Sequence, residues 1–311
     1  MKTAAIVNPR AGHGRCQRRW DAQQAALREI AGPMKYCPTE GPGHGGEIAR
    51  TLLREGYEHL ISAGGDGTHF EVINGWFDHG APINPDARLT VLPMGTGSDL
   101  AKALGIAPGL RGIESLRSAS IMNADVGCLT CAETPGGAAH TYYFLNIAHF
   151  GIGGAACRYV NEHSKAMGGF LSYLRAILVT LTAYSAKSMT IRIDGDLTLS
   201  GPALDFSIAK GRYDAGGLLL APHARLDNGL FDCFHVGAIG FFDALRTLPR
   251  LYTGRLSERR DVVTYLRGSR IEVRSDEIVE VEVDGEFVGY LPASVTLIPG
   301  AIRLTDARRE G

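Results

Sequence analysis

The sequence predicts two domains, an α/β domain built on a parallel sheet and a mostly antiparallel β domain. Over residues 1–124, short apolar runs alternate with helical patterns, which is the order expected of a parallel sheet with helices on both faces. From about Ala124 the pattern changes to alternating runs separated by turn residues, with one helical stretch at 170–183. We therefore expect domains over 1–124 and 125–299 in this chain of 311 residues.

Strands and helices alternate regularly in the first domain. The predicted strands are 4–7, 34–36, 59–63 and 89–92, and the predicted helices are 15–30, 45–55, 69–77 and 99–104. Glycine-rich turns follow the third and fourth strands. Ligands of such sheets bind at loops beyond the carboxyl ends of the strands. These two turns are therefore the first candidates for a binding site.

The second domain is predicted mainly from alternating apolar runs. The predicted strands are 141–147, 189–193, 204–209, 229–236, 270–273 and 279–283. No repeat of fixed period is present in the sequence. A single β-rich domain is the simplest interpretation.

Composition argues against several classes of protein. The net charge is -1 with mixed signs, so we expect no nucleic-acid partner. No signal-peptide pattern opens the sequence, and a chain of this size does not need its six cysteines as disulfides. The longest apolar-rich stretch, 170–184, contains Arg175 and is too short and too polar to span a bilayer. A cytoplasmic location is expected.

The strongest motif is a glycine-rich run between a predicted strand and a predicted helix. The run is Gly64-Gly65-Asp66-Gly67-Thr68. Glycines let the backbone approach an anion, and a helix N-terminus adds a favourable partial charge for phosphate. Asp66 suits such a site if a divalent cation or water lies between it and the phosphates. The alternative is a tight strand-to-helix turn with no ligand.

Two further loops resemble the first in position. One follows the fourth strand and contains Gly95, Thr96, Ser98 and Asp99. The other follows the first strand and runs from Asn8 through Arg10 to Arg15. Arginines in such a loop stabilise phosphate charge. The alternatives are helix capping by Ser98 and Asp99, and solvated loop arginines.

Other motifs give weaker or negative signals. Neither a P-loop, nor a protein-kinase signature, nor a well-placed Gly-x-Gly-x-x-Gly is present. Cys128 and Cys131 form one Cys-x-x-Cys pair, and a structural zinc site usually needs a second pair. His69 adjoins the glycine-rich run, where a helix-packing role is the simpler interpretation.

The C-terminal third contains a short acidic turn, Asp284-Gly285-Glu286. Asp-Gly between alternating residues is a strong hairpin signal. Two carboxylates at a strand end also suit a general base that accepts a hydroxyl proton. Both interpretations remain open from the residues alone.

Taken together, these motifs resemble the diacylglycerol kinase catalytic-domain family, which includes bacterial lipid kinases and sphingosine and ceramide kinases. The resemblance covers nearly the whole chain and depends on the order and spacing of several stretches. They are residues 8–14, 64–75, 93–101, 146–153, 215–222, 226–232 and 284–286. A Gly-Gly-Asp-Gly-Thr run also occurs in NAD kinases, but the later stretches fit the lipid kinases better.

The resemblance implies a fold and a reaction. The fold is a Rossmann-like nucleotide-binding α/β domain, to which the last residues, about 300–311, return, followed by a β-sandwich domain. The reaction is transfer of the γ-phosphoryl group of ATP to a lipid hydroxyl with Mg²⁺, as part of lipid metabolism. Diacylglycerol, a sphingoid base, ceramide and another lipid alcohol all remain open as the acceptor. Family members often form homodimers.

The resemblance also implies roles for individual residues. Residues expected to contact ATP are Asn8, Arg10, Thr39, Gly64, Gly65, Asp66, Gly67, Thr68, Gly95 and Thr96. Glu286 matches the proton acceptor, while Asp66, Asp99 and Asp284 match acids tied to catalytic Mg²⁺ through water. A second, structural Mg²⁺ matches the loop of Arg225, Asn228 and Leu230, mostly through carbonyl oxygens.

The chain departs from the family pattern at four positions. Phe70, Ser98 and Lys210 each stand where an asparagine is common, and Asn228 stands where an aspartate is common. Losing that aspartate weakens an oxygen site for Mg²⁺. A structural Mg²⁺ is therefore less expected here than in other members, although every catalytic acid is present.

A lipid substrate requires contact with a membrane, and two stretches suit that role. The stretch 168–183 carries Phe170, Leu171, Leu174, Ile177 and Leu178, with core packing as the alternative. The stretch 241–260 mixes phenylalanines and leucines with Arg246, Arg250, Arg255, Arg259 and Arg260, which suits an anionic surface. We expect peripheral binding at the inner face of the membrane. The alternatives are an NAD kinase-like enzyme with a soluble substrate and a lipid-binding protein on a kinase scaffold.

Overall fold

The computed structural model describes residues 1–163 and 169–308, and for residues 169–174 it describes the backbone alone. The strands are β1 (Thr3–Val7), β2 (Lys35–Pro38), β3 (His59–Gly64), β4 (Phe77–Asp78), β5 (Ala81–Pro82), β6 (Arg88–Pro93), β7 (Ser120–Ala132), β8 (Ala139–Phe144), β9 (Ile147–Gly151), β10 (Lys187–Ile193), β11 (Leu197–Ala209), β12 (Phe231–Gly237), β13 (Val263–Gly268), β14 (Arg270–Arg274), β15 (Glu280–Val283) and β16 (Glu286–Asp306). The helices are α1 (Ala11–Gly14), α2 (Cys16–Ala31), α3 (His44–Arg54), α4 (Asp66–Asn74), α5 (Asp99–Ala103), α6 (Leu110–Ser115), α7 (Ile152–His163), α8 (Gly169–Ala183) and α9 (Phe241–Thr253). The chain forms two compact units, one of Met1–Val126 with Pro299–Gly311 and one of Gly127–Ile298.

The first unit is built on a parallel sheet. Strand β1 pairs in parallel with β2 and β3, and β3 pairs in parallel with β6. The last part of β16 adds a further parallel strand beside β6, at Arg303 and Leu304. Strands β1 and β3 are buried throughout, which explains why their sequences are largely apolar on both faces.

Helix α2 covers one face of this sheet. Its Trp20 and Leu27 pack in one core cluster with Ala5 and Val7 of β1 and Ile61 of β3. Helices α3 and α4 approach each other through glycines. A Cβ on Gly75, at the end of α4, would lie 2.2 Å from the carbonyl oxygen of Gly46. Only glycine fits there, because the two backbones are in contact.

Helix α4 begins earlier than its sequence predicts. It starts at Asp66, whereas the prediction placed the start at residue 69. Gly65, in an extended conformation, is the N-cap. Three of the five residues of the expected glycine-rich loop, Asp66, Gly67 and Thr68, therefore form the first turn of a helix, and the first N–H groups of that helix lie at its N-terminus.

The second unit is antiparallel and closes on itself. Strand β9 pairs with β11 and β15, β15 pairs with β16, and β16 returns through β14 and β10 to β11. The prediction of antiparallel strands is confirmed. The expected sandwich of separate sheets is replaced by a closed ring of hydrogen-bonded strands.

Some elements of the second unit differ from the prediction. The run 141–147 is divided between β8 and β9, and helices α7 and α9 were not predicted. Residue 168 and the side chains of Phe170, Leu171 and Leu174, named above for membrane contact, lie outside the described residues. Within the described part of the chain, no helix has the length and apolar character needed to cross a membrane.

Candidate active site

Three loops of the first unit meet at the carboxyl ends of β1, β3 and β6. Asn8 Nδ2 donates to Thr68 Oγ1 at 3.0 Å, which joins the first loop to the second. The N–H groups of Met94 and Gly95 donate to the Gly64 carbonyl at 2.8 and 2.9 Å, which joins the second to the third. The prediction that these loops share one edge of the sheet is therefore matched by direct hydrogen bonds.

Gly95 is required by the close approach of two of these loops. A Cβ at this position would lie 2.5 Å from the Gly65 Cα. The two backbones pack against each other, directly beside the N-terminus of α4. The N-cap residue, Gly65, makes no side-chain hydrogen bond to that terminus, whose first N–H groups suit an anion.

Asp66 supports the third loop through its carboxylate. Its Oδ2 accepts the Ser98 N–H at 2.6 Å and its Oδ1 accepts the Asp99 N–H at 2.9 Å. Burial raises the pKa of Asp66, although the backbone hydrogen bonds oppose that effect. Asp99 lies beside it and forms an ion pair with Lys102 at 2.9 Å. The structure thus brings Asp66 and Asp99 together, with Asp66 acting as the cap of α5.

The remaining predicted nucleotide contacts differ in exposure. Arg10 and Thr96 are exposed, and Thr39 is buried, with its N–H donating to the Val7 carbonyl at 2.8 Å. Thr39, which follows β2, therefore lies beside the end of β1, at the carboxyl edge of the parallel sheet. Gly67 is half-buried in the first turn of α4.

Sequence reasoning missed two side chains that hold these loops. Arg19 Nη1 donates to the carbonyls of Met94 and Gly95 at 2.9 and 3.3 Å. Glu71 accepts the N–H groups of Gly43 and Gly45 at 2.8 and 3.0 Å, which fixes the start of α3. Both lie on helices, where they resemble ordinary surface charges. Glu71 falls in the stretch 64–75 that carries the resemblance, but the sequence assigned neither side chain a role.

Two weaker motifs are structural. His69 is buried and shares a 2.8 Å hydrogen bond with Ser62, and burial lowers its pKa to about 4. Cys128 and Cys131 both lie in β7 with free thiols. Burial raises the pKa of each thiol, so neither has the character of a reactive thiolate.

In the second unit, the Asp284 carboxylate binds a row of backbone amides. It accepts the N–H groups of Leu145, Asn146 and Ile147 at 3.1, 2.9 and 2.9 Å. Asp284 has a positive φ of 49°, as expected for a tight hairpin. The turn is therefore a hairpin, and its aspartate also fixes the connection between β8 and β9 through these hydrogen bonds. Glu286, two residues further on, is half-buried.

A buried group of charged side chains lies next to this turn. His149 shares hydrogen bonds with Asp205 at 2.8 Å through Nδ1 and with Asp214 at 3.1 Å through Nε2. Glu282 lies 3.9 Å from the same Nε2 and accepts the Gly285 N–H of the turn. We call these four side chains the His149 cluster.

Burial and mutual charge shift the pKa values within the His149 cluster. Burial alone would lower the pKa of His149, but the charges and hydrogen bonds of Asp205 and Asp214 outweigh it and raise the pKa well above its usual value. Each ring nitrogen of His149 therefore faces a carboxylate. Burial raises the pKa of Glu282 to about 8, with His149 opposing the rise. Sequence reasoning missed this cluster entirely.

An apolar cavity of about 120 Å³ opens beside the cluster. His149, Asp205 and Asp214 contribute polar groups to its wall. The rest of the wall is largely aliphatic and includes Ile152, Ile177, Leu181, Leu204, Leu248 and Leu251. A cavity with aliphatic walls and a few polar groups is the usual form of a small-molecule site.

Two family models match the chain. The diacylglycerol kinase catalytic domain matches residues 2–129, and the YegS C-terminal NAD kinase beta sandwich-like domain matches residues 146–306, which is more than half of the chain. This chain belongs to the diacylglycerol kinase family. The resemblance inferred from the motifs is therefore confirmed, and the chain is a member of a family of phosphotransferases.

Individual relatives of this diacylglycerol kinase family member span most of its length. The diacylglycerol kinase of Bacillus subtilis strain 168 is 28% identical over 294 residues, covering 94% of this chain and 92% of that protein. A probable lipid kinase, YegS-like, of Pseudomonas aeruginosa is 28% identical over 283 residues, covering 91% and 88%. A diacylglycerol kinase structure from Bacillus anthracis strain Sterne has a TM-score of 0.71 at 19% identity, covering 97% and 96%. Yeast NADH kinase complexed with NADH has a TM-score of 0.53 at 12% identity, covering 98% and 83%, so both structures show a shared fold.

The loop expected to hold a structural Mg²⁺ in this family has a different occupant. Lys210 Nζ donates to Asn228 Oδ1 at 2.7 Å and to the Leu230 carbonyl at 3.0 Å. Arg225 is paired with Asp227 at 3.0 Å. Throughout residues 1–163 and 169–308, no three His, Cys, Asp or Glu side chains are grouped as a metal centre requires.

Helix α9 presents the mixed apolar and basic surface predicted for membrane contact. Phe242 is 74% exposed, and Phe241 and Leu245 are also exposed. Arg246 extends beside them, 3.8 Å from Asp243. Arg259 is different, because it is engaged by Asp261 at 2.8 Å and by Thr247 at 3.0 Å. The exposed apolar group of α9 is thus accompanied by fewer available arginines than the sequence suggested.

Proposed function

We propose that this chain is an ATP-dependent kinase that transfers the γ-phosphoryl group to the hydroxyl of a lipid. The observation that carries the proposal is the apolar cavity of the second unit, which ends at the His149 cluster. The cluster in turn holds the amide of Gly285, in the same turn as Asp284 and Glu286. Aliphatic walls favour a hydrocarbon chain, at about 0.8 kcal/mol for each buried methylene.

The loops at the carboxyl edge of the parallel sheet support nucleotide binding. The uncapped N-terminus of α4 offers N–H groups and a partial positive charge to phosphate oxygens. Asn8, Gly64, Gly65, Thr68 and Gly95 are held together there by the bonds described above. Arg10, Thr39, Gly67 and Thr96 complete the proposed contact set.

Glu286 is the proposed proton acceptor for the lipid hydroxyl. Because the three amides of Leu145, Asn146 and Ile147 hold Asp284, the position of the turn carrying Glu286 is fixed. A carboxylate in a fixed position accelerates proton transfer by about 10² to 10⁴. Asp66 and Asp99, which lie side by side in the first unit, are proposed to act on Mg²⁺ through water, and a bound Mg²⁺ would neutralise charge on the phosphates.

Access to a lipid substrate requires a membrane surface. The exposed phenylalanines of α9, together with Arg246 and Arg260, suit peripheral binding to an anionic inner leaflet. Leu248 and Leu251 of the same helix line the cavity. In this proposal one face of α9 contacts the membrane and another lines the cavity that takes the substrate.

The test is a transfer assay with γ-labelled ATP and a panel of acceptors. Diacylglycerol, sphingosine, ceramide and monoacylglycerol are presented in mixed micelles, and NAD is presented in solution. We expect label in at least one lipid and none in NAD. Label in NAD alone would support the soluble-substrate alternative, and lipid and ATP binding without transfer would support a binding protein; either result would refute the proposal.

A further inference from the structure

The side chain of a buried lysine, Lys210, reaches into the loop formed by residues 226–231 of the second unit. Lys210 has no exposed surface, and its ammonium group lies 2.7 Å from Asn228 Oδ1 and 3.0 Å from the Leu230 carbonyl. We infer that this ammonium is the built-in cation of the loop and that the loop needs no divalent metal. The inference does not depend on the proposed kinase function.

The contacts of Lys210 are those of a bound cation. Amide and carbonyl oxygens are the ligands that hard cations take in proteins. A buried ammonium is stable only where such oxygens satisfy its N–H groups, because desolvation otherwise costs several kcal/mol. Asn228 Oδ1 also accepts the Leu230 N–H at 3.3 Å, so the ammonium and the loop backbone share one oxygen.

Two departures from the family pattern are complementary in charge. Where the sequence comparison leads one to expect an asparagine at 210 and an aspartate at 228, this chain has Lys210 and Asn228. A divalent ion with one aspartate has a net charge of +1, and a lysine with one asparagine has the same net charge. A metal added beside Lys210 would meet occupied ligands and a like charge, which disfavours its binding.

Hydrogen bonds also connect Lys210 to the Asp284–Glu286 turn through Asn146. The N–H groups of Lys210 and Gly211 donate to the Asn146 carbonyl at 2.7 and 2.8 Å. The N–H of Asn146 donates to Asp284 Oδ1 at 2.9 Å. The side chain of Lys210 thus contacts the 226–231 loop, while the backbone at 210–211 contacts the strand end that holds Asp284.

The first test uses the unaltered, nucleotide-free protein. Thermal unfolding is followed after treatment with EDTA and again after addition of excess Mg²⁺. We expect the Tm to agree within about 1 °C in all three states, since a ligand that does not bind cannot shift stability. A fall of the Tm with EDTA that Mg²⁺ reverses would overturn the inference.

The second test replaces the lysine ammonium with a site for Mg²⁺. The double variant Lys210→Asn/Asn228→Asp recreates an acidic oxygen loop, and we expect its Tm to rise with added Mg²⁺. The single variant Lys210→Met removes the ammonium that bonds Asn228 Oδ1 and the Leu230 carbonyl, and we expect its Tm to fall by about 5 °C or more. Lys35→Met, at a half-exposed surface lysine, is the control with little change. An unchanged Tm for Lys210→Met would contradict the inference, as would a double variant that folds but ignores Mg²⁺.

Discussion

Filling the cavity of the second unit offers a quantitative test of what it binds. Ala244 is buried in α9 and lines the cavity. An apolar cavity of roughly 150 Å³ takes up a benzene molecule, so about 120 Å³ accommodates about four or five carbon atoms. Ala244→Leu adds three carbons to that space. The loss of burial for about three substrate methylenes is about 2.4 kcal/mol, which corresponds to a fall of about 50-fold in kcat/KM.

The assay compares acceptors of different chain length in mixed micelles at fixed ATP. Ala244→Leu should reduce kcat/KM for a long-chain acceptor by about 50-fold and for a short-chain analogue by much less. Ala183→Leu, the same substitution at the exposed end of α8, is the matched control and should leave both values unchanged. Equal losses for both acceptors in the Ala244 variant would refute the assignment of the cavity to the lipid chain.

Three further predictions test other parts of the structure. Gly95→Ala places a Cβ 2.5 Å from the Gly65 Cα and should lower kcat/KM for ATP by about 100-fold, whereas Gly41→Ala, with open space around it, should not. Burial lowers the pKa of His59 to about 3 and that of His69 to about 4, so both stay neutral in the folded state while the unfolded chain takes up protons below about pH 6.5. His69 should therefore contribute a fall of about 2 kcal/mol to the free energy of unfolding between pH 7 and pH 5, so the change over this interval in urea should differ by about 2 kcal/mol between wild type and His69→Gln. Replacing Arg246 and Arg260 with glutamine should weaken binding to phosphatidylserine vesicles by about 30-fold in co-sedimentation, and an unchanged affinity would exclude the 241–260 stretch as the electrostatic contact.

The order of elements in the parallel unit was predicted well because the residues that end each strand or helix are adjacent to it in sequence. Each apolar strand is bounded by glycines or polar turns, and β1 and β3 are buried on both faces. The start of α4 was wrong by three residues since Gly65 and Gly67 suggest a loop, yet one is the N-cap and the other lies in the first helical turn. Local sequence therefore gave the order of elements but not their capping.

The helices of the second unit were missed for separate reasons. Helix α7 carries Gly153 and Gly154 near its start, which lowers its apparent helix propensity. Gly154 is needed because a Cβ there would lie 2.7 Å from the Glu280 backbone. Helix α9 contains Pro249, which usually ends a helix. In both cases packing outweighs propensity.

The candidate site was predicted only where its residues adjoin in sequence. The glycine-rich loops and the Asp-Gly-Glu turn were recognised because each is a short contiguous motif. The His149 cluster joins residues that are 56 and 65 positions apart, so no local pattern reveals it. Lys210 was noticed as an unusual residue, but its role became apparent only when the fold placed Asn228 and Leu230 around its ammonium group.

The most direct measurement compares wild type with Glu286→Gln in lipid phosphorylation. The initial rate of labelled lipid formation and the Kd for ATP are measured on the same preparations. If Glu286 accepts the hydroxyl proton, the rate falls by about 10² to 10⁴ while the Kd for ATP is unchanged. A variant that phosphorylates lipid at the wild-type rate would contradict the account.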